Sequence, residues 1–192
     1  MRIGIIDSGL GGLAVAKYLK KDEHDIFLIM DKEAFPYGLK SKIYLCKRAY
    51  ILCHYLIERK VDVIVIACNT LSIVALPFLK HNISFPIIGV FDYLKPYLTK
   101  ENLLIGSKNT IFYAKTNFPV GTLDGTLLIE AIERRRDYKK IIEEYDFKNY
   151  KMLILGCTHF LTLNANDFLI PVHDQMEELR KDLLSIEMAF QK

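Results

Sequence analysis

Short aliphatic runs alternate with longer helical patterns along most of the chain. The runs have the length and β-branched content of buried strands and lack the polar alternation of half-exposed ones. They cover residues 2–6, 25–30, 61–67, 86–90, 102–106 and 152–155. Helical patterns lie between and after them, at residues 13–21, 41–59, 70–80, 125–144 and 175–190. This order predicts an α/β fold with mainly parallel sheets flanked by helices.

Two features of the pattern concern larger organisation. The Pro-containing stretch 91–99 is typical of a hinge between two lobes. The helix predicted at 41–59 is apolar around much of its circumference, with Cys46 and Cys53 as small apolar side chains, so it is either buried or suited to a homodimer contact.

Composition narrows the classes of partner. The chain has 192 residues, of which 51% are hydrophobic, and its formal net charge of +3 is too small to favour a nucleic-acid partner. No apolar run is long enough for a membrane span or a signal peptide.

The basic cluster at Arg134, Arg135 and Arg136 alternates with acidic residues, which predicts a solvated helix face with i,i+4 ion pairs. Four cysteines without a CxxC motif indicate a reducing cytoplasm.

Two of the cysteines occur in similar settings. In residues 61–70 and 150–159 an aliphatic strand is followed by a small residue, a cysteine and two polar residues before a predicted helix. Ligands bind beyond the carboxyl ends of parallel strands, where Cys68 and Cys157 would lie. A thiol near a helix N-terminus is a usable general base. Two thiols facing one carbon from opposite sides would therefore racemise or epimerise it without a cofactor.

Polar neighbours fit an amino-acid substrate. Asp7 and Ser8 close the first strand, and His159 lies two residues after Cys157, so each could orient a thiol or relay its proton. Donors for a carboxylate are offered by Asn69, Thr70 and Thr158 and by backbone N–H groups at two helix starts. The alternative reading of each cysteine and of the histidine is a packing or structural role.

The glycines after the first strand allow a different enzyme class. Gly9, Gly11 and Gly12 fit a dinucleotide-binding fingerprint, with Asp31 closing the next strand 22 residues after Gly9. This would make the protein an NAD-dependent oxidoreductase. Against it, Asp7 would place a carboxylate beside the pyrophosphate, and the two cysteine loops would have no role.

Four segments together resemble the glutamate racemase family, in the family's order. They are residues 3–13 (IGIIDSGLGGL), 36–41 (PYGLKS), 67–70 (ACNT) and 155–159 (LGCTH). The resemblance implies two pseudosymmetric α/β lobes with the active site between them, and cofactor-independent interconversion of L- and D-glutamate for bacterial peptidoglycan. We expect a first lobe of residues 1–92 plus 170–192 and a second, reduced lobe of residues 93–169.

The same resemblance assigns roles to residues. Cys68 and Cys157 match the two catalytic thiols, Asp7 and His159 match their respective partners, and Glu133 matches an auxiliary glutamate. The matched substrate-binding positions are Ser8, Pro36, Tyr37, Gly38, Asn69, Thr70 and Thr158.

The chain also departs from the family pattern. Family members are longer, with the shortfall between Ile111 and Tyr150, and the Tyr-Pro that usually follows the Thr-His is Phe160-Leu161 here. Two alternatives therefore stay open beside a glutamate racemase. One is a related racemase acting on aspartate or another small acid, and the other is a non-catalytic descendant that binds an amino acid or a protein.

Overall fold

Two four-stranded parallel sheets organise the chain. The computed structural model describes residues 1–190. The first sheet has the order β2-β1-β3-β4 and the second the order β6-β5-β7-β8. The strands are β1 (Arg2–Asp7), β2 (Asp25–Met30), β3 (Val63–Ile66), β4 (Ile87–Gly89), β5 (Asn102–Gly106), β6 (Gly121–Asp124), β7 (Met152–Gly156) and β8 (Val172–His173). The predicted class, two α/β lobes with parallel sheets, is confirmed.

Seven α-helices connect and cover these strands in the described part of the chain. They are α1 (Leu10–Leu19), α2 (Lys42–Glu58), α3 (Asn69–Asn82), α4 (Lys108–Asn117), α5 (Thr126–Glu133), α6 (Lys139–Glu143) and α7 (Met176–Phe190). Ser41 fixes the start of α2, because its hydroxyl accepts a hydrogen bond from Tyr44 N at 3.3 Å. The sequence pattern did not predict α4, β6 or β8.

The single helix predicted over residues 125–144 is wrong. Arg135 has a φ of 52°, in the left-handed region, which ends α5, and α6 begins only at Lys139. The carboxylate of Asp137 accepts a hydrogen bond from Lys139 N at 3.0 Å and so stabilises the turn between them. The expected ion-paired helix face is absent too, since Arg134, Arg135 and Arg136 lie exposed in this turn and form no salt bridge to a described residue.

Each sheet is covered on both faces, as its continuous apolar strands require. In the first sheet Ile6 packs towards α2 and α3, whereas Ile3 and Ile5 pack towards α1 and α7. The second sheet packs Ile105 against α5 and Leu104 against α4. The C-terminal helix α7 thus contributes to the core of the first sheet.

The second lobe is reduced in its helices rather than its strands. Fourteen residues of α3 follow Cys68, but only a five-residue 3₁₀ helix, Thr158–Thr162, follows Cys157. β8 belongs to the second sheet, so this sheet continues beyond residue 169, where the sequence places the return to the first lobe. The division into two domains itself stays a prediction. In the described chain, no helix has the length and apolar character needed to cross a membrane.

Candidate active site

The carboxyl ends of the central strands of both sheets meet at one cavity. Asp7 ends β1, Cys68 follows β3 by two residues, and Cys157 follows β7 directly. The cavity is lined by Ser8, Phe35, Pro36, Tyr37, Gly38, Leu39, Cys68, Thr70, Ser107, Lys108, Thr126, Ile129, Glu130, Cys157, Thr158 and His159. Both thiols therefore line one cavity at the strand ends.

Cys157 lies at one end of a short hydrogen-bonded chain. Its Sγ is 3.5 Å from His159 Nδ1, and His159 Nε2 is 2.8 Å from Glu133 Oε2. The same Glu133 oxygen accepts a hydrogen bond from Leu10 N, the first residue of α1, at 2.9 Å. The structure thus joins Glu133, predicted only by resemblance, to the histidine of the cysteine loop.

The charges of Cys157, His159 and Glu133 shift one another's pKa values. Burial disfavours the imidazolium of His159, but the neighbouring Cys157 sulfur and Glu133 carboxylate outweigh it and raise the pKa of His159 to about 10. In return, the hydrogen bond from His159 lowers the pKa of Glu133 despite partial burial. The raised pKa favours the imidazolium form of His159, and an imidazolium 3.5 Å from Cys157 Sγ would stabilise negative charge there.

Cys68 has a different environment, dominated by burial. Burial and the nearby Asp7 and Cys157 raise its pKa well above the usual value, opposed by the backbone N–H groups of Thr70 and Leu71 at the start of α3. Asp7 is 1% exposed, and burial raises its pKa as well. Its carboxyl group accepts hydrogen bonds from Gly9 N at 2.8 Å and Thr158 Oγ1 at 3.1 Å. Burial thus favours the protonated form of both Asp7 and Cys68.

Hydroxyl and amide groups form another part of the site. Thr70 Oγ1 lies 2.7 Å from Ser107 Oγ and 3.2 Å from Thr110 Oγ1, so these three hydroxyls connect α3 to α4. Both amide atoms of Asn69 are buried and have no hydrogen-bond partner among the described residues. A buried amide without partners is costly, although Asn69 itself is not among the described residues that line the cavity.

The loop of Pro36, Tyr37 and Gly38 forms another wall of the cavity. The peptide bond between Phe35 and Pro36 is cis. Gly38 approaches the second lobe closely, since a Cβ added there would lie 2.9 Å from the Ser107 Cβ. A side chain at position 38 would therefore push this wall away from Ser107.

The dinucleotide alternative does not fit the space around its glycines. A Cβ on Gly9 would lie 2.6 Å from Glu133 Oε2, and one on Gly11 would lie 2.8 Å from His159 N. The second lobe thus occupies the position that a pyrophosphate would need. Asp31 is hydrogen-bonded to Arg48 and Tyr37, so it is not free for a ribose.

Sequence reasoning missed several cavity residues, namely Phe35, Leu39, Ser107, Lys108, Thr126, Ile129 and Glu130. A signal for Ser107 was present, because it follows a predicted strand, β5, as Ser8 follows β1. Within residues 1–190, no group of three or more His, Cys, Asp or Glu side chains is arranged to hold a metal ion.

The relatives found by comparing the sequence with known proteins share one name. The chain is 36% identical over 189 residues to the glutamate racemase of Hydrogenobaculum sp. (strain Y04AAS1), a match covering 86% of this chain and 73% of the relative. It is 34% identical to the glutamate racemase of Aquifex aeolicus (strain VF5), covering 83% and 71% of the two chains. No family model matches the chain.

Solved structures extend the likeness to three dimensions. Glutamate racemase from Thermus thermophilus, in complex with beta-chloro-D-alanine, superposes with a TM-score of 0.85 at 27% identity, covering 99% of this chain and 81% of that one. Glutamate racemase from Francisella tularensis, in complex with D-glutamate, gives a TM-score of 0.83 at 27% identity and covers 99% and 82%.

Proposed function

Because the chain belongs to the glutamate racemase family, we propose that it interconverts L- and D-glutamate by proton transfer between Cys68 and Cys157. The observation that carries the two-thiol scheme is the shared cavity, which both cysteines line from the strand ends of different sheets. The assignment of roles to individual residues is part of this proposal.

The reaction needs one proton removed and one returned. A thiolate on one face of the substrate takes the α-proton, so the Cα–H bond breaks and its electron pair stays on the substrate. The thiol on the opposite face then gives its proton to Cα. Each turnover leaves the thiolate and the thiol exchanged, and the reverse reaction starts from that state.

The surrounding groups make each thiol suitable for this exchange. The imidazolium of His159, 3.5 Å from Cys157 Sγ, stabilises a thiolate there. At Cys68, Asp7 accepts or returns a proton, and the N–H groups of Thr70 and Leu71 stabilise the thiolate. The amide of Asn69, unpartnered among the described residues, offers a donor for a substrate carboxylate beside Thr70, and Thr158, whose hydroxyl donates to Asp7, lines the same cavity.

Isotope exchange tests the reaction and both thiols. L-glutamate incubated with the protein in D₂O is expected to give D-glutamate carrying deuterium at Cα. Cys68→Ala and Cys157→Ala should each abolish racemisation, while Cys53→Ala, which alters a buried thiol on α2, should leave it intact. Unimpaired racemisation in either of the first two variants excludes the two-base scheme.

The same assay separates the alternatives. A panel of acidic amino acids in D₂O tests aspartate beside glutamate, and faster exchange with aspartate would reassign the substrate. Calorimetry that detects glutamate binding without exchange at any pH would indicate a binding protein rather than an enzyme. The retention of two thiols, each with a proton-carrying neighbour, favours turnover over binding alone.

The biological setting and the assembly are also proposals. D-glutamate made by this chain would supply bacterial peptidoglycan synthesis in the cytoplasm. We assign a homodimer contact to α2 and the loop before it, where Leu39, Ile43, Ile51 and Tyr55 are exposed apolar side chains. Ile43→Lys combined with Ile51→Lys should convert a dimer into a monomer in sedimentation experiments, whereas Met188→Lys on α7 should not.

A further inference from the structure

A buried carboxylate outside the cavity connects three elements of the first lobe. Asp31 follows β2, and its side chain is 1% exposed. It accepts hydrogen bonds from Tyr37 Oη at 2.7 Å, from Arg48 Nε at 2.8 Å and from Arg48 Nη2 at 2.6 Å. Arg48 belongs to α2, so one carboxylate ties the end of β2 to α2 and to the loop that lines the cavity.

This arrangement holds the loop of residues 35–39, which we call the rim loop. Its backbone bonds at Leu39 N to Pro36 O (3.2 Å) and Lys40 N to Tyr37 O (3.0 Å) are local. These bonds fix the conformation of the loop but not its position relative to the rest of the first lobe. The Tyr37 side chain, 1% exposed, reaches from the rim loop to Asp31 and supplies that link.

Charge keeps the link in one protonation state. Burial alone would raise the pKa of Asp31, but the hydrogen bonds from Arg48 and Tyr37 lower it overall. Burial and the Asp31 carboxylate raise the pKa of Tyr37, so its hydroxyl stays a donor. The other carboxylate near Arg48 is Glu33 at 3.8 Å, which is 92% exposed and is therefore a weak competitor.

Asp31 is also attached directly to the candidate catalytic end of β1. Its backbone N donates a hydrogen bond to the carbonyl oxygen of Asp7 at 2.8 Å. The residue that holds the rim loop is thus fixed relative to the acid beside Cys68. Movement of the rim loop away from Asp31 would change the cavity wall that Pro36, Tyr37 and Gly38 form.

We propose that Asp31 and Arg48 form a positioning pair that holds the rim loop, through the Tyr37 hydroxyl, at the distance from the cavity that glutamate binding requires. The pair touches no reacting atom and acts on substrate affinity. The inference rests on the proposed racemase function, because it assigns a role in substrate binding at that same site.

Steady-state kinetics with L-glutamate test the pair. Tyr37→Phe deletes only the hydroxyl and keeps the ring that packs in the wall. Loss of a hydrogen bond to a charged group should raise KM about tenfold while kcat changes less than about twofold. Arg48→Gln should act in the same way, and Arg48→Lys should recover part of the loss, since lysine keeps the charge but not the two-pronged geometry.

The chain offers a matched control. Tyr138→Phe removes a hydrogen bond of the same kind, from Tyr138 Oη to Asp167 Oδ2 at 2.9 Å, at a place that does not line the cavity. We expect its KM to equal that of the wild type. The proposal is overturned if Tyr37→Phe behaves like this control, or if it lowers kcat and kcat/KM by the same factor.

Amide hydrogen exchange separates this proposal from the proposed function. The amides of residues 37–40 should exchange faster in Tyr37→Phe and in Arg48→Gln than in the wild type, and at the wild-type rate in Tyr138→Phe. If the wild type racemises no acidic amino acid, the proposed function fails while this readout still judges the positioning pair. Unchanged exchange in both rim-loop variants would reject the pair even in an active enzyme.

Discussion

His159 shows how a single side chain acquires its charge from its neighbours. A histidine that is nearly fully buried would ordinarily be neutral, because burial disfavours the charged form. Here Cys157 and Glu133 lie on either side of the ring, and they raise the pKa of His159 to about 10. The imidazolium therefore depends on Glu133, which touches neither thiol.

Glu133→Gln tests this dependence. The substitution keeps the shape of the side chain but removes its charge, so the pKa of His159 should fall below about 10. Histidine signals followed by NMR across a pH series measure the shift directly. A value unchanged from the wild type would show that Cys157 and Asp7 maintain the imidazolium without Glu133. Glu144→Gln, at an exposed residue, is the control.

The same variant predicts a pH-dependent stability difference. The pKa of Glu133 is lowered from 4.5, so its stabilisation is present above that pH and is lost as the pH falls through the lowered value. The pKa of His159 is raised from 6.5, so its contribution is complete below 6.5 and disappears as the pH rises through about 10. Urea unfolding between pH 4.5 and 6.5 should therefore give Glu133→Gln a free energy of unfolding about 1.5–3 kcal/mol below that of the wild type. This difference should shrink as the pH rises towards 10.

At the scale of elements, α7 completes the first sheet from the far end of the chain. Leu179 and Leu183 are fully buried against the face of the sheet that carries Ile3 and Ile5. The strands beneath that face end at Asp7 and close to Cys68, so α7 supports the frame of the candidate site from behind.

Neighbouring leucines on α7 make this role measurable. Leu183 is fully buried, and Leu184 is 36% exposed. Leu183→Ala should lower the free energy of unfolding by about 2–5 kcal/mol, because it leaves a cavity as well as losing buried area. Leu184→Ala should cost less than about 1 kcal/mol. Similar losses for the two variants in denaturant titrations would mean that α7 does not pack as the structure shows.

The elements also show which features a single sequence reveals. The central strands were predictable because each is a continuous aliphatic run, and the thiols because each directly follows such a run. Helix α4 was missed because only Thr110 and Ala114 of its ten residues are buried, which leaves no apolar stripe. The break after α5 depends on the left-handed backbone of Arg135, a residue type that gives no signal for it. Thr110 was missed because hydroxyls are common and only the fold brings it to Thr70.

For the whole molecule, the cavity is also where the two sheets are joined. Thr158 donates to Asp7, Leu10 N donates to Glu133, and Thr70 pairs with Ser107. Each of these hydrogen bonds connects a residue near the strand ends of one sheet to one near those of the other. The hydrogen bonds that shape the site therefore also help to hold the two halves together.

This coincidence predicts that a ligand in the cavity stabilises both halves at once. D-glutamate at about 100 times its Kd should add about 2.7 kcal/mol to the free energy of unfolding. For a chain of this length that corresponds to a rise in Tm of about 5–10 °C. Calorimetry should show one transition that moves as a unit, and Asn69→Ala should reduce the shift, because it removes a buried amide whose atoms have no partner in the described chain. Two transitions, of which only one responds to D-glutamate, would contradict a site shared by both sheets.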